Sequence, residues 1–61
     1  MPVITLEAAK LTKEQKQRLT KEFTESAAKI MGSQESAFYV FIKEIELDNV
    51  GVGGQLLSER K

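Results

Sequence analysis

The sequence predicts an α+β chain: a β-α-β subunit with parallel strands, a long amphipathic helix and a C-terminal glycine-rich hairpin, assembled as an oligomer. Three observations lead there. Residues 3–8, VITLEA, form a short β-rich run with period two. Residues 13–31 carry apolar side chains at helical spacing behind a capping signal. Residues 38–45, FYVFIKEI, are apolar on both faces at their start, which does not suit a strand with water on one side.

In the first run Val3, Thr5 and Glu7 face one side and Ile4, Leu6 and Ala8 the other. Thr12 then precedes Lys-Glu-Gln, so its hydroxyl can cap a helix while Gln15, three residues on, reaches back as the second half of a capping box. Leu19, Phe23, Ala27 and Ile30 recur at spacings of four, four and three, and Gly32 supplies the stop. The opposite face offers the pairs Glu14 with Arg18, Arg18 with Glu22, Lys21 with Glu25 and Glu25 with Lys29 at four-residue spacing. A solvated helix face is the reading preferred for it.

After a short SQES linker, Phe38, Val40 and Ile42 point one way while Tyr39 and Phe41 point the other. A strand-helix-strand connection is a right-handed crossover that sets the two strands parallel. One helix covers one face of such a pair, so the second face and both edges need cover from other copies. Gly51, Gly53 and Gly54 fit a tight turn or hairpin. A phosphate loop is disfavoured because no Lys-Ser/Thr pair follows. Residues 55–60 are left as a final helical turn or a frayed end.

The 61 residues, with no cysteine and no histidine, read as a single domain over 1–61. A chain this short buries only about 60 % of the surface it exposes when unfolded, and it is marginal without disulfides, a metal or partners. The missing residue types remove disulfides, thiolate nucleophiles and the usual zinc or haem ligands, which leaves self-association. Nine basic and nine acidic side chains cancel, which argues against nucleic acid or a lipid surface as partner. No apolar run approaches a membrane span and no signal-peptide pattern opens the chain, so the cytoplasm is the expected location.

The reactive groups are carboxylates, lysines, arginines, hydroxyls and the chain's own amine. Glu44, Glu46 and Asp48 follow the second strand beside Lys43 and read as solvated charge in preference to paired acids or magnesium ligands. Pro2 directly follows Met1. If Met1 is removed, the ring nitrogen becomes a free secondary amine. An α-amine titrates near about 7.7–8.0, and apolar surroundings lower that value, giving a neutral base suited to general acid–base work without a metal. Taken alone, Pro2 suits better the head of an edge strand, where its missing N–H costs nothing.

Proline at position 2, the chain length, the "LTKEQK" helix entry, the strand ending "VFIKE" and the tail "NVGVGGQ" together resemble the 4-oxalocrotonate tautomerase family over nearly the whole chain, with at most a one-residue shortening before the helix. The resemblance implies a β-α-β subunit that pairs its sheets into a dimer, commonly three dimers in a homohexamer. It implies that the processed Pro2 shuttles a proton in enol–keto isomerisation of 2-hydroxydienoate-type acids, with no cofactor. Where the best-known members have an arginine before the helix, this sequence offers Lys10, or Leu11 under the other placement of the gap. Lys10 can pair with a substrate carboxylate as a point charge without the bidentate fork, or be simply a solvated strand-end lysine. A second arginine, on strand 2, is replaced by Tyr39, which can donate one hydrogen bond or simply pack. The aromatic pocket residue before the glycines is matched by Val50, with Asn49 beside it. The lost charge points to a smaller or less charged enol acid than a dicarboxylate, or to one whose cationic partner lies elsewhere. A catalytically silent oligomeric scaffold or small-molecule binder on the same fold is the competing expectation.

Overall fold

The computed structural model describes residues 1–60. Strand β1 (Val3–Ala8) leads into helix α1 (Lys13–Met31), a 3-10 turn at Glu35–Ala37 and strand β2 (Tyr39–Glu44). A second 3-10 turn (Leu47–Asn49), the two-residue strands β3 (Gly51–Val52) and β4 (Gln55–Leu56) and a last 3-10 turn (Leu57–Glu59) complete it. β1 and β2 pair in parallel, from Val3 opposite Tyr39 to Ala8 opposite Glu44, and β3 pairs antiparallel with β4. Among the described residues no helix is long and apolar enough to cross a membrane.

The helix begins where its cap is written. Gln15 N–H donates to the Thr12 hydroxyl at 3.1 Å and Thr12 N–H to Gln15 Oε1 at 2.9 Å, so two otherwise orphaned donors are satisfied reciprocally. It ends at Gly32, whose φ of 68° is the left-handed conformation that lets its N–H return to the Ala28 carbonyl. Replacing Thr12 by alanine is expected to lower stability by about 1 kcal/mol, read as a shift in the denaturation midpoint at unchanged m-value.

The helix covers the sheet face formed by Ile4, Leu6 and Ala8 with Val40 and Ile42, all half-buried, while Phe41 and Lys43 are exposed on the other face. Leu19, Phe23 and Ala27 meet that face half-buried, and Ala28, at 6 % exposure, is the buried side chain of the core. Ile30, expected on the same stripe, is 82 % exposed. The 19 residues of α1 extend about 28 Å while the six of β1 extend about 20 Å, so the helix outruns the sheet and its last turn has no strand beneath it. Of the four charge pairs expected along α1, Arg18–Glu22 is the one that closes among the described residues.

β2 is one residue shorter at each end than expected. Phe38 N–H is taken by the Glu35 carbonyl at the close of the 3-10 turn, which begins within the expected linker, while Ile45 N–H still donates to the Ala8 carbonyl at 2.8 Å. The glycine-rich tail is a hairpin: Val52 faces Gln55 across Gly53 and Gly54, whose φ values of 62° and 86° match the double positive φ of a two-residue turn. Residues 55–60, expected as a helical turn or a frayed end, instead begin as strand β4 at Gln55–Leu56, held by pairing with β3, and take a single 3-10 turn at Leu57–Glu59.

The second sheet face is uncovered. Val3, Tyr39 and Phe41 lie there, the two aromatics about half exposed, with Thr5 opposite Phe41 and Glu7 opposite Lys43. The chain exposes 5133 Å², where about 4,000 Å² is expected for a compact protein of its 6.8 kDa. Its Cα radius of gyration is 15.0 Å against about 10.5 Å for a compact domain of this length.

Candidate active site

Pro2 stands immediately before β1, and its carbonyl accepts the Tyr39 N–H at 3.0 Å. Proline suits this position because the first residue of a strand can do without an N–H. The ring is half-buried and continues the alternation that turns Ile4 and Leu6 toward the helix, whereas Met1 before it is 82 % exposed. Removing Met1 would therefore uncover the proline nitrogen without disturbing packed side chains. Tyr39 shares this end of the sheet through its backbone, while its side chain projects onto the uncovered face beside Val3.

Lys10 lies at the other end. It is exposed and lines a cleft of about 350 Å³ with Glu44, Ile45 and Glu46. The length of β1, about 20 Å, separates it from Pro2. Leu11, the alternative to Lys10, is half-buried, with its N–H held by Glu44. Val50 is half-buried after the Leu47–Asn49 turn, its N–H donating to the Leu47 carbonyl at 3.3 Å and its carbonyl accepting the Leu57 N–H at 2.8 Å. One chain thus joins Pro2 with Tyr39 at one end of the sheet and carries Lys10 and Val50 beyond the other.

Glu44 differs from its expected role as solvated charge. Its Oε2 accepts the Leu11 N–H at 2.9 Å and its Oε1 the Lys16 Nζ at 2.8 Å, tying the end of β2 to the helix entry. The Leu11 hydrogen bond, and after it that of Lys16, holds the Glu44 carboxyl below the usual glutamate range. No sequence spacing announces these partners, which lie 33 and 28 residues away, and the parallel register brings them together. Among the described residues no three acidic side chains are grouped to hold a metal ion.

A carboxyl depressed in the folded state stabilises it above the unfolded value, near about 4.3, and loses that contribution as pH falls through the lower folded value. Glu44→Gln is accordingly expected to lower the melting temperature at pH 7. The difference from the parent should close progressively below pH 4, as followed by thermal melts across pH 7 to 2.

Two parallel strands, one long helix and a C-terminal antiparallel hairpin match the fold of solved homologues of 4-oxalocrotonate tautomerase. The family model described as tautomerase enzyme matches residues 2–60, and the chain belongs to that family. It is 33 % identical to the probable tautomerase K2 of Dickeya dadantii (strain 3937), covering 100 % of this chain and 94 % of that one. Among solved structures, YwhB, a homologue of 4-oxalocrotonate tautomerase, superposes with a TM-score of 0.90 at 33 % identity, over 98 % of this chain and 100 % of the other. DmpI from Archaeoglobus fulgidus superposes with a TM-score of 0.85 at 36 % identity, over 95 % and 100 %.

Proposed function

We propose that the chain is a cofactor-independent tautomerase that interconverts the enol and keto forms of a 2-hydroxydienoate or related enol acid, with Pro2 as general base and acid once Met1 is removed. The observation that carries this is the setting of Pro2: half-buried at the head of β1, anchored through its carbonyl to Tyr39, and next to an exposed methionine. The neutral ring nitrogen takes the proton of the substrate's 2-hydroxyl. The oxygen electrons form the ketone as the conjugated double bonds shift, and the proline ammonium returns the proton to a carbon of the chain. Lys10 pairs with the substrate carboxylate, Tyr39 donates a hydrogen bond, and Val50 shapes an apolar wall.

Because Pro2 and Lys10 occupy opposite ends of β1, the reading assembles each site at a junction between copies. The uncovered face with Tyr39 and Phe41, and a surface some 1,000 Å² larger than about 4,000 Å² for a compact chain, support self-association. A homohexamer arranged as a trimer of dimers is the assembly proposed. The substrate is a small acid carrying one carboxylate, since neither Lys10 nor Tyr39 offers a bidentate fork.

The deciding experiment follows ketonisation of 2-hydroxypenta-2,4-dienoate by ultraviolet absorbance, using protein shown by intact mass to lack Met1, beside its Pro2→Ala variant. Turnover that falls in the variant supports the enzyme. Turnover no higher than the uncatalysed rate in both transfers the reading to a catalytically silent scaffold or small-molecule binder, which the absence of arginine at positions 10 and 39 favours.

A further inference from the structure

We propose that Lys16 and Glu44 are a positioning pair, holding the segment that carries Lys10 and keeping the Lys10 ammonium available to a substrate carboxylate. The second half rests on the reading of Lys10 given above. The segment is tied on both sides of Lys10 to one short stretch of chain: the Ala8 carbonyl accepts Ile45 N–H at 2.8 Å, and Leu11 N–H donates to Glu44 Oε2 at 2.9 Å. Residues 8–11 are thereby laid along residues 44–45, and Lys10 has little backbone freedom left.

Glu44 is also a competitor for Lys10. The two line the same cleft, and the Lys10 charge acts on the Glu44 carboxylate. Glu44 has two oxygens, however, and both are engaged, one by the Leu11 amide and the other by Lys16 at 2.8 Å. Among the described residues no carboxylate lies within ion-pair distance of Lys10. Taking Lys16 away would leave Oε1 without a cation, with Lys10, on a flexible four-carbon stem, as the neighbouring replacement. Lys16 thus satisfies a carboxylate that would otherwise capture the anion-binding group. Glu46, which also lines the cleft, is kept in every variant below.

The test compares Lys16→Gln, Glu44→Gln and the double variant by two measurements. Carbon-13 NMR of the lysine ε-carbons titrates Lys10 directly, and steady-state kinetics with 2-hydroxypenta-2,4-dienoate separates KM from kcat. Lys16→Gln is expected to raise the Lys10 titration midpoint, because pairing with a carboxylate favours the ammonium, and to raise KM several-fold with a smaller change in kcat. Adding Glu44→Gln should return both to within about twofold of the parent. A purely structural pair predicts added losses instead of this rescue. Amide exchange at Leu11 should accelerate in Glu44→Ala and much less in Glu44→Gln, whose amide oxygen still accepts. A Lys10 midpoint unmoved by Lys16→Gln, or unrestored in the double variant, overturns the proposal. Absence of turnover in the processed parent overturns the catalytic reading alone, and the NMR titration then decides the pair by itself.

Discussion

A chain that keeps Met1 is expected to convert enol to ketone about 10²- to 10⁴-fold more slowly than the same chain beginning at Pro2, the range that a positioned general base contributes. The retained methionine turns the proline nitrogen into an amide with no basic lone pair, while Met1, 82 % exposed, alters nothing in the packed face between sheet and helix. The two forms should therefore have the same melting temperature and differ in rate. Their pH profiles should differ as well. The processed form should gain activity as pH rises through the Pro2 ammonium, at or below about 7.7–8.0, whereas any residual activity of the blocked form lacks that limb. Pro2→Ala is a milder lesion, because a terminal alanine still presents an amine but loses the fixed φ that orients it. Rates measured on the two forms, each verified by intact mass, check the expectation. Equal rates would exclude the nitrogen from the reaction.

Placing a carboxylate on the uncovered sheet face should have the largest effect on assembly. Phe41 lies there at 50 % exposure, opposite Thr5 of β1 and beside Tyr39 and Val3. In an isolated chain, Phe41→Asp exchanges a half-solvated ring for a solvated charge. In an assembly that covers this face the charge would be buried without a partner, at a cost of several kcal/mol per copy. Sedimentation at micromolar concentration is expected to give a single slow species near the 6.8 kDa of one chain, where the parent is expected to sediment as an oligomer. The parent's melting temperature should also rise with concentration, as mass action requires, and that dependence should vanish in the variant. An unchanged sedimentation profile would mean that the copies meet elsewhere.

The sequence made the locally coded elements readable. The period-two run placed β1 at residues 3–8, and the Thr12–Gln15 box and Gly32 bracketed α1 at 13–31, because a strand face and a helix cap are each written within a few residues. Gly51, Gly53 and Gly54 announced the turn of the hairpin for the same reason, but not that Gln55 and Leu56 continue as its second strand. Ile30 was misplaced because periodicity reports angle around the helix and is blind to where the sheet beneath it stops. The start of β2 shifted by one residue because the 3-10 turn before it claims the Phe38 amide. Pro2, Lys10, Tyr39 and Val50 came from residue chemistry and family resemblance, but their division between the two sheet ends is a matter of topology. Lys16 with Glu44 was out of reach, since a pair 28 residues apart depends on the crossover and the strand register together.

With Pro2 ahead of β1 and Lys10 behind it, a lesion at one leaves the other physically untouched in the same polypeptide. In an assembly whose sites draw these groups from different copies, two separately disabled versions of the gene product can complement each other: co-assembled, they regenerate some sites in which both donors are native. Inheritance of a defect would then follow the mixture of subunits in each particle and not the count of damaged alleles.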